Sequence, residues 1–303
     1  VEEGKLVGKG FTMKLNDIHI RDPFIFAEDG TYYLYGTRAG HLLGPRQGDG
    51  LDVYTSKDLV EWSEPYECFT TPEGFWADRD FFAPEVHKWK GSYYMFASFR
   101  SLDHNRASQI LKADSPMGPF VTISDGPMTP ADRVCLDGTL FVDENEQPWI
   151  VFCHEWTQIA DGTMCATRLS DDLSKTIGEP ELLFPASDAK WVFSLDPNED
   201  GHYVTDGPFF HRLQNGTLIM LWSSFIAKLG YVQTYAVSES GTLKGPWKQQ
   251  DDPLYKKDGG HGMIFRGFDN QLYLILHQPN GRPFERPRLL RIEETENGIA
   301  IID

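Results

Sequence analysis

One pattern recurs five times along the 303 residues, and a repeat at this spacing constrains the fold more than any property of composition. Each copy is a short apolar run, a turn rich in Gly, Asn, Asp or Glu, and a second run rich in aromatic or aliphatic residues. The first copy is Asp22-Pro23-Phe24-Ile25-Phe26, a turn at Glu28-Asp29-Gly30, then Tyr32-Tyr33-Leu34-Tyr35. The later copies open at Ala83-Pro84-Glu85-Val86-His87, Asp137-Gly138-Thr139-Leu140-Phe141, Asp206-Gly207-Pro208-Phe209-Phe210 and His261-Gly262-Met263-Ile264-Phe265. Strand-forming residues on both sides of a turn cluster read as a β-hairpin. Further strand material follows most hairpins, as in Leu51-Asp52-Val53-Tyr54 and Val232-Gln233-Thr234-Tyr235, and tails such as Leu59-Val60-Glu61-Trp62 complete four strands. Five antiparallel four-stranded units of about 50–70 residues match propeller blades. The expected fold is therefore all-β: a single five-bladed β-propeller spanning residues 1–303, its blades starting near 22, 83, 137, 206 and 261. Pro and Gly interrupt every stretch that could form a long amphipathic helix. A two-domain β-sandwich is the alternative, but it leaves unexplained why the pattern runs evenly with no linker-like composition between copies.

Composition narrows the partners. Aromatic residues reach 13%, with 8 Trp, 12 Tyr and 20 Phe, which suits strands and also suits sugars stacking on flat rings. With 28 basic against 45 acidic residues the net charge is −17, which argues against nucleic acid, whose phosphates need basic surface. A neutral glycan meets no such objection. No apolar run approaches the roughly 20 residues that span a bilayer. Cys68, Cys135, Cys153 and Cys165 have no metal-ligand spacing and read as small buried hydrophobes, with one disulfide open if the protein is exported. The chain opens at Val1-Glu2-Glu3 without Met or a signal-peptide pattern, so a secreted or periplasmic location is an indirect expectation.

In a propeller the first strand of each blade lines the central channel, and the first residues of all five strands meet at one mouth. That position reads Asp22, Ala83, Asp137, Asp206 and His261. Turn chemistry suffices for any single Asp beside Pro or Gly. Three Asp and a His at one repeat position instead predict converging carboxyls that perturb one another's proton affinity. Glycoside cleavage needs such a set: a protonated carboxyl for the leaving oxygen and an ionised one to activate water. The second strands end at the same mouth with Arg38, Arg100, His154-Glu155-Trp156 and His277-Gln278. Glu155 beside Trp156 is a second candidate acid, since an indole neighbour disfavours the ionised form. Phe75 and Trp76 could supply a stacking platform.

On these residues the chain resembles glycoside hydrolase family 43, five-bladed propeller enzymes acting on plant-type polysaccharides. The likeness rests on Arg21-Asp22-Pro23-Phe24-Ile25, Ala83-Pro84-Glu85-Val86-His87, Asp137-Gly138-Thr139 and Gly260-His261-Gly262, in that order and at blade spacing. The resemblance implies an inverting mechanism in which Asp22 is the base and Asp137 tunes the acid. It implies that His261 is the channel histidine that in some members helps hold a calcium ion, no cofactor being otherwise required, and that Glu85 hydrogen-bonds substrate or structure. One departure stands out: where the family has Glu before Gly-Pro in the fourth blade, this chain has Asp206, one methylene shorter. Either Asp206 acts in a reshaped site, or Glu155 takes the role, or the protein binds sugar without cleaving it efficiently. The expected activity is exo-acting hydrolysis of arabinose-, xylose- or galactose-containing glycans, of the α-L-arabinofuranosidase or β-xylosidase kind. Loops at residues 40–50 and 125–133 are expected to wall the mouth. Families 32 and 68 cleave fructosides on the same fold, but their Glu-Cys-Pro and Asn-Asp-Pro-Asn signatures are missing. A mannoside phosphorylase would need a phosphate site, for which Arg38 and Arg100 are the candidates. A non-catalytic carbohydrate-binding propeller is the remaining alternative.

Overall fold

A computed structural model of the chain describes residues 12–38, 50–124 and 126–302. Five antiparallel sheets form a ring, each with its first strand innermost. Blade 1 runs Ile20–Glu28, Thr31–Arg38 and Gly50–Ser56, and Glu61–Trp62 and Tyr66–Thr70 both pair with the third strand. Blade 2 comprises Arg79–Trp89, Ser92–Arg100, Ala107–Ala113 and Val121–Thr122; blade 3 comprises Cys135–Val142, Pro148–His154, Thr163–Leu169 and Thr176–Pro185. Blade 4 is Asp206–Arg212, Leu218–Ile226, Gly230–Ser238 and Trp247–Gln249, and blade 5 is Gly260–Arg266, Leu272–Gln278, Arg286–Thr295 and Gly298–Ile301. The innermost strand of blade 5 packs on that of blade 1, which closes the ring. Met13–Lys14 adds to the outer edge of blade 1 by pairing with Trp62 and Glu61. Among the described residues the α-helical content is one four-residue turn, Trp156–Ile159, and no helix is long and apolar enough to cross a membrane.

The aromatic residues explain how flat sheets stack radially. Between blades 3 and 4, Phe141, Trp149, Phe184, Trp222 and Trp247 share one apolar layer, with Trp191 stacked on Trp222 at 5.6 Å. Between blades 1 and 2, Phe69, Phe75, Phe81 and Phe99 pack edge to face or tilted. Each such ring buries about 1.5–3 kcal/mol of transfer free energy. All four cysteines are buried and unpaired, as the apolar reading expects.

Each innermost strand carries the same irregularity. Its pairing with the second strand slips between Arg21 and Phe24, Phe82 and Glu85, Leu136 and Thr139, Asp206 and Phe209, and Gly260 and Met263. Inside each slip one residue is left-handed: Asp22 (φ 52°), Ala83 (46°), Asp137 (56°), Gly207 (54°) and His261 (51°). A bulge with a left-handed residue bends the strand and re-aims its side chains. Five such bends set at one level of the ring turn the strand starts toward the axis. They also correct the repeat alignment. The position equivalent to Asp22, Asp137 and His261 is Gly207 in blade 4, and Asp206 stands one residue earlier. Glycine is required there, because a Cβ at Gly207 would lie 2.8 Å from the His261 ring.

Candidate active site

A left-handed Asp, Ala or His costs free energy unless neighbours over-determine it. Here the backbone N–H of the bent residue is pinned by the preceding blade. Thr37 Oγ1 accepts from Ala83 N at 2.7 Å, Ser98 Oγ from Asp137 N at 2.8 Å, and Ser223 Oγ from His261 N at 2.8 Å. His277 Nδ1 accepts from Asp22 N at 3.2 Å across the closure. Thr37, Ser98, Cys153, Ser223 and His277 occupy one register position, each facing the residue just before the bend of its own blade. Cys153 is the exception in chemistry, since a thiol is a weak acceptor. At that junction Gly207 N donates instead to Asp137 Oδ2, at 3.1 Å. The bend of blade 4 is thus held by a carboxylate of the site itself.

The three aspartates gather around His261. Its Nδ1 lies 3.2 Å from Asp22 Oδ1 and 3.7 Å from Asp137 Oδ2, and ligand atoms of Asp137, Asp206 and His261 all lie within 4.8 Å of one another. Asp22 is buried, yet its carboxyl is held below the usual carboxylate range. Burial opposes ionisation, but Arg21, His261, His277 and the Thr37 hydroxyl outweigh it. Arg21 Nε sits 3.2 and 3.3 Å from the two carboxylate oxygens, and Thr37 Oγ1 donates at 2.6 Å. Arg21 Nη1 is also 3.7 Å from Glu285, a fully buried side chain whose oxygens have no hydrogen bond among the described residues. Arg21 therefore lies between two acidic side chains; burial works against its charge, but Asp22, with Tyr231 and Asp206, more than offsets that and keeps it cationic.

Asp137 and Asp206 behave differently. Burial, then the neighbouring Asp206 and Asp22, push the Asp137 carboxyl well above the usual range. Asp206 moves the other way: burial opposes it, but its hydrogen bond with Asp137, the charge of His261 and the Tyr231 hydroxyl favour ionisation. Two carboxyls this close, one of them buried, share one proton. Tyr231 Oη donates to Asp206 Oδ2 at 2.5 Å, its own proton retained because of burial and the Asp206 charge. Its ring stacks on His277 at 5.5 Å. Asp206 is the partly exposed member of the pair, and Asp137 is buried behind it. The site thus holds an ionised carboxylate and, facing the same His261 Nδ1, a carboxyl pair that retains a proton.

The other sequence candidates are dispersed. Glu155 is not in this network: both its oxygens accept from Arg106 Nη1 at 2.8 Å, so the nearby indole does not set its environment. Trp156 opens the helical turn and meets His202 edge-on. Phe75 and Trp76 pack against the apolar core of blades 1 and 2, and Trp76 Nε1 donates to Gln109 at 2.5 Å. Glu85 is buried and accepts from Thr139 at 2.5 Å, beside His87 Nε2 at 3.1 Å, which makes it a structural bond between blades 2 and 3. Arg38 is committed to Asp52 at 2.6 and 2.7 Å and to Glu67, and Arg100 leans on Asp80 at 3.5 Å, so neither guanidinium presents an unopposed charge to phosphate. His277, placed by the repeat at a strand end, lies fully buried against Asp22. The loop at 40–50 falls, except for Gly50, outside the described residues, as does residue 125. Sequence reasoning assigned no role to Arg21, Thr37, Tyr231 or Glu285. Arg21 and Thr37 adjoin motif residues, whereas nothing in the repeat singles out the other two.

Among the described residues, Asp137, Asp206 and His261 form the group that could approach a cation. Calcium takes six to eight oxygens, and this set offers two carboxylates and a nitrogen. The oxygens already serve Gly207 N and Tyr231 Oη. That donor set fits a shared proton better than a hard dication.

Comparison with known proteins identifies the family. An extracellular exo-α-(1→5)-L-arabinofuranosidase of Cellvibrio japonicus is 23% identical over 294 residues, covering 86% of this chain and 79% of its own. An extracellular endo-α-(1→5)-L-arabinanase of Bacillus subtilis is 22% identical over 253 residues, covering 80% of this chain and 71% of its own. The crystal structure of an endo-arabinase from Bacteroides thetaiotaomicron superposes with a TM-score of 0.87 at 38% identity, covering 96% of this chain and all (100%) of that one. Residues 17–299 match the family described as glycosyl hydrolases family 43, and this chain is a glycosidase belonging to it.

Proposed function

We propose that this protein hydrolyses α-L-arabinofuranosyl linkages of arabinan-type glycans by a single displacement with inversion. One observation supports it most: His261 Nδ1 faces both an ionised Asp22 and the Asp137 of a proton-holding Asp137–Asp206 pair. Asp22 takes a proton from water as the water attacks the anomeric carbon. Asp206, the partly exposed member of the pair, passes the proton it shares with Asp137 to the departing oxygen, and Asp137, the member burial favours in the protonated form, holds that proton until then. Arg21 keeps Asp22 ionised, and His261 Nδ1 faces both Asp22 and Asp137. The arabinose preference draws on the arabinan-directed relatives, and release of single units draws on the exo-acting one. Both curated relatives are extracellular, which supports export of this chain.

The test is turnover on linear α-1,5-arabino-oligosaccharides and on chromogenic arabinofuranosides, xylosides and galactosides, with NMR of the first-formed anomer. Arabinose release with inversion is expected, and Asp22→Asn and Asp206→Asn should each lower kcat by about 10²–10⁴-fold. A retained anomer, or full activity in either variant, would overturn the mechanism; a ladder of oligosaccharide products would replace end attack by internal cleavage.

A further inference from the structure

A cavity of about 570 Å³ opens between blades 2 and 3, within the roughly 300–1,000 Å³ of ligand sites. Its walls include Arg100, His104, Asn105, Arg106, Glu155 and Thr157, none of which belongs to the carboxylate network. Arg100 ends the second strand of blade 2, and Glu155 follows the second strand of blade 3. Both strands end at the level of the bent residues, so the cavity lies on the same face as the aspartates.

The wall is pre-organised. Arg106 Nη1 bonds both oxygens of Glu155 at 2.8 Å, and Nη2 bonds Asp80 at 2.8 Å. His104 Nδ1 is fixed by Ser101 at 3.1 Å, with its ring edge-on to Trp76, and Asn105 Nδ2 donates to Ala131 O at 3.1 Å. Rigid polar walls lower the entropy lost on binding.

A ridge joins cavity and mouth. The Arg106 guanidinium lies over the Phe82 ring at 5.3 Å, and Arg282, from the loop after blade 5, lies over the same ring at 5.3 Å. Phe82 is half-buried and directly precedes Ala83. Ala83 N donates to the Thr37 hydroxyl that in turn donates to Asp22. A ligand leaving the Asp22 mouth across Phe82 therefore arrives at the cavity.

Charge selects the ligand class. The cations of the wall are matched by Glu155, Asp80 and Asp103 in a chain of net charge −17, so nothing there favours an anion. The wall combines donors and acceptors with the apolar Leu102, Ala131 and Val134. That mixture matches a neutral polyhydroxyl chain, with hydroxyl edges and C–H faces.

From this we infer that the cavity is an accessory sugar subsite, which holds the part of a neutral oligosaccharide remote from the bond at Asp22 and Asp206. The inference rests on the glycan reading above and deepens it. Its test uses calorimetric titration of α-1,5-arabinobiose and α-1,5-arabinohexaose into the Asp22→Asn enzyme, with and without Arg100→Ala and His104→Ala together. Both substituted side chains are at least partly exposed, and thermal unfolding checks that the fold survives. The hexaose Kd should rise about tenfold or more while the biose Kd stays within about twofold. An unchanged hexaose Kd, equal weakening of both sugars, or no hexaose binding at all would overturn the subsite. Turnover of the hexaose by the unsubstituted enzyme separates the two readings. Cleavage with an unchanged Kd pattern removes the subsite alone. The expected Kd pattern without cleavage supports the subsite and removes the hydrolase reading alone.

Discussion

Tyr231 touches one oxygen of Asp206 at 2.5 Å, and through it the proton shared with Asp137. A phenol that donates to a carboxylate stabilises the ionised form, so Tyr231 makes the pair a stronger acid. Tyr231→Phe removes that donation, and the pair should then hold its proton to higher pH. The alkaline limb of the kcat/KM profile moves upward, and kcat/KM at neutral pH falls about 10–100-fold as a charge-assisted bond is lost. A pH–rate profile with an unshifted alkaline limb would exclude Tyr231 from control of the proton. Tyr231 was not legible in the sequence. It lies in the third strand of its blade, where the repeat marks nothing unusual, and it reaches the site only because that strand passes behind Asp206. Asp22, Asp137 and His261 were legible because they interrupt apolar runs at a shared position. Glu155 misled for the opposite reason: its neighbour in sequence is an indole, but its neighbour in space is Arg106.

At the scale of the element, the bent strand start does the positioning. Its geometry requires glycine in blade 4, for backbone and for space: Gly207 has φ 54°, and an added Cβ would meet the His261 ring. Gly30 separates the two causes, since it also has positive φ (68°) but nothing within 4 Å of its Cβ position. Gly30→Ala should cost only the conformational penalty, about 1–2 kcal/mol, with activity kept. Gly207→Ala should cost about 1–3 kcal/mol more as His261 is forced aside, and activity should fall with it. Denaturant unfolding of the two variants, read beside their kcat, checks this; equal losses would mean that the His261 contact gives way freely. The hairpins themselves were legible, since turn clusters between apolar runs have few other solutions. The one-residue offset in blade 4 was not. The letters Asp-Gly align with Asp137-Gly138 in blade 3, and only the backbone angles reveal that Gly207 takes the bent place. This offset bears on the missing methylene of Asp206, because the carboxyl enters the site from the residue before the bend.

Across the whole molecule, ring closure and site are joined at one buried imidazole. His277 belongs to the last blade, is fully buried, and takes the N–H of Asp22 in the first. As Nδ1 accepts, Nε2 carries the proton toward Asn280 Oδ1, 3.1 Å away. This is a neutral histidine. Burial pushes its pKa down to about 4, more than the attraction of Asp22 lifts it. In the unfolded chain the same group titrates near 6.5. Between these values the unfolded chain binds a proton that the folded ring refuses, so stability falls as pH drops from about 6.5 to about 4. The difference corresponds to about 3 kcal/mol once the window is crossed. Asp22 adds no loss within this window, because its folded carboxyl stays ionised and its unfolded one titrates only near 3.8. His277→Gln keeps an acceptor for Asp22 N but cannot take the proton. The variant should therefore be less stable than the parent at pH 7, and the gap should close by about 3 kcal/mol at pH 4. Parallel urea titrations at pH 7, 5.5 and 4 measure that gap. A gap constant across pH would mean that His277 is charged in the folded ring, and the closure would then rest on an ion pair with Asp22 instead of a neutral acceptor.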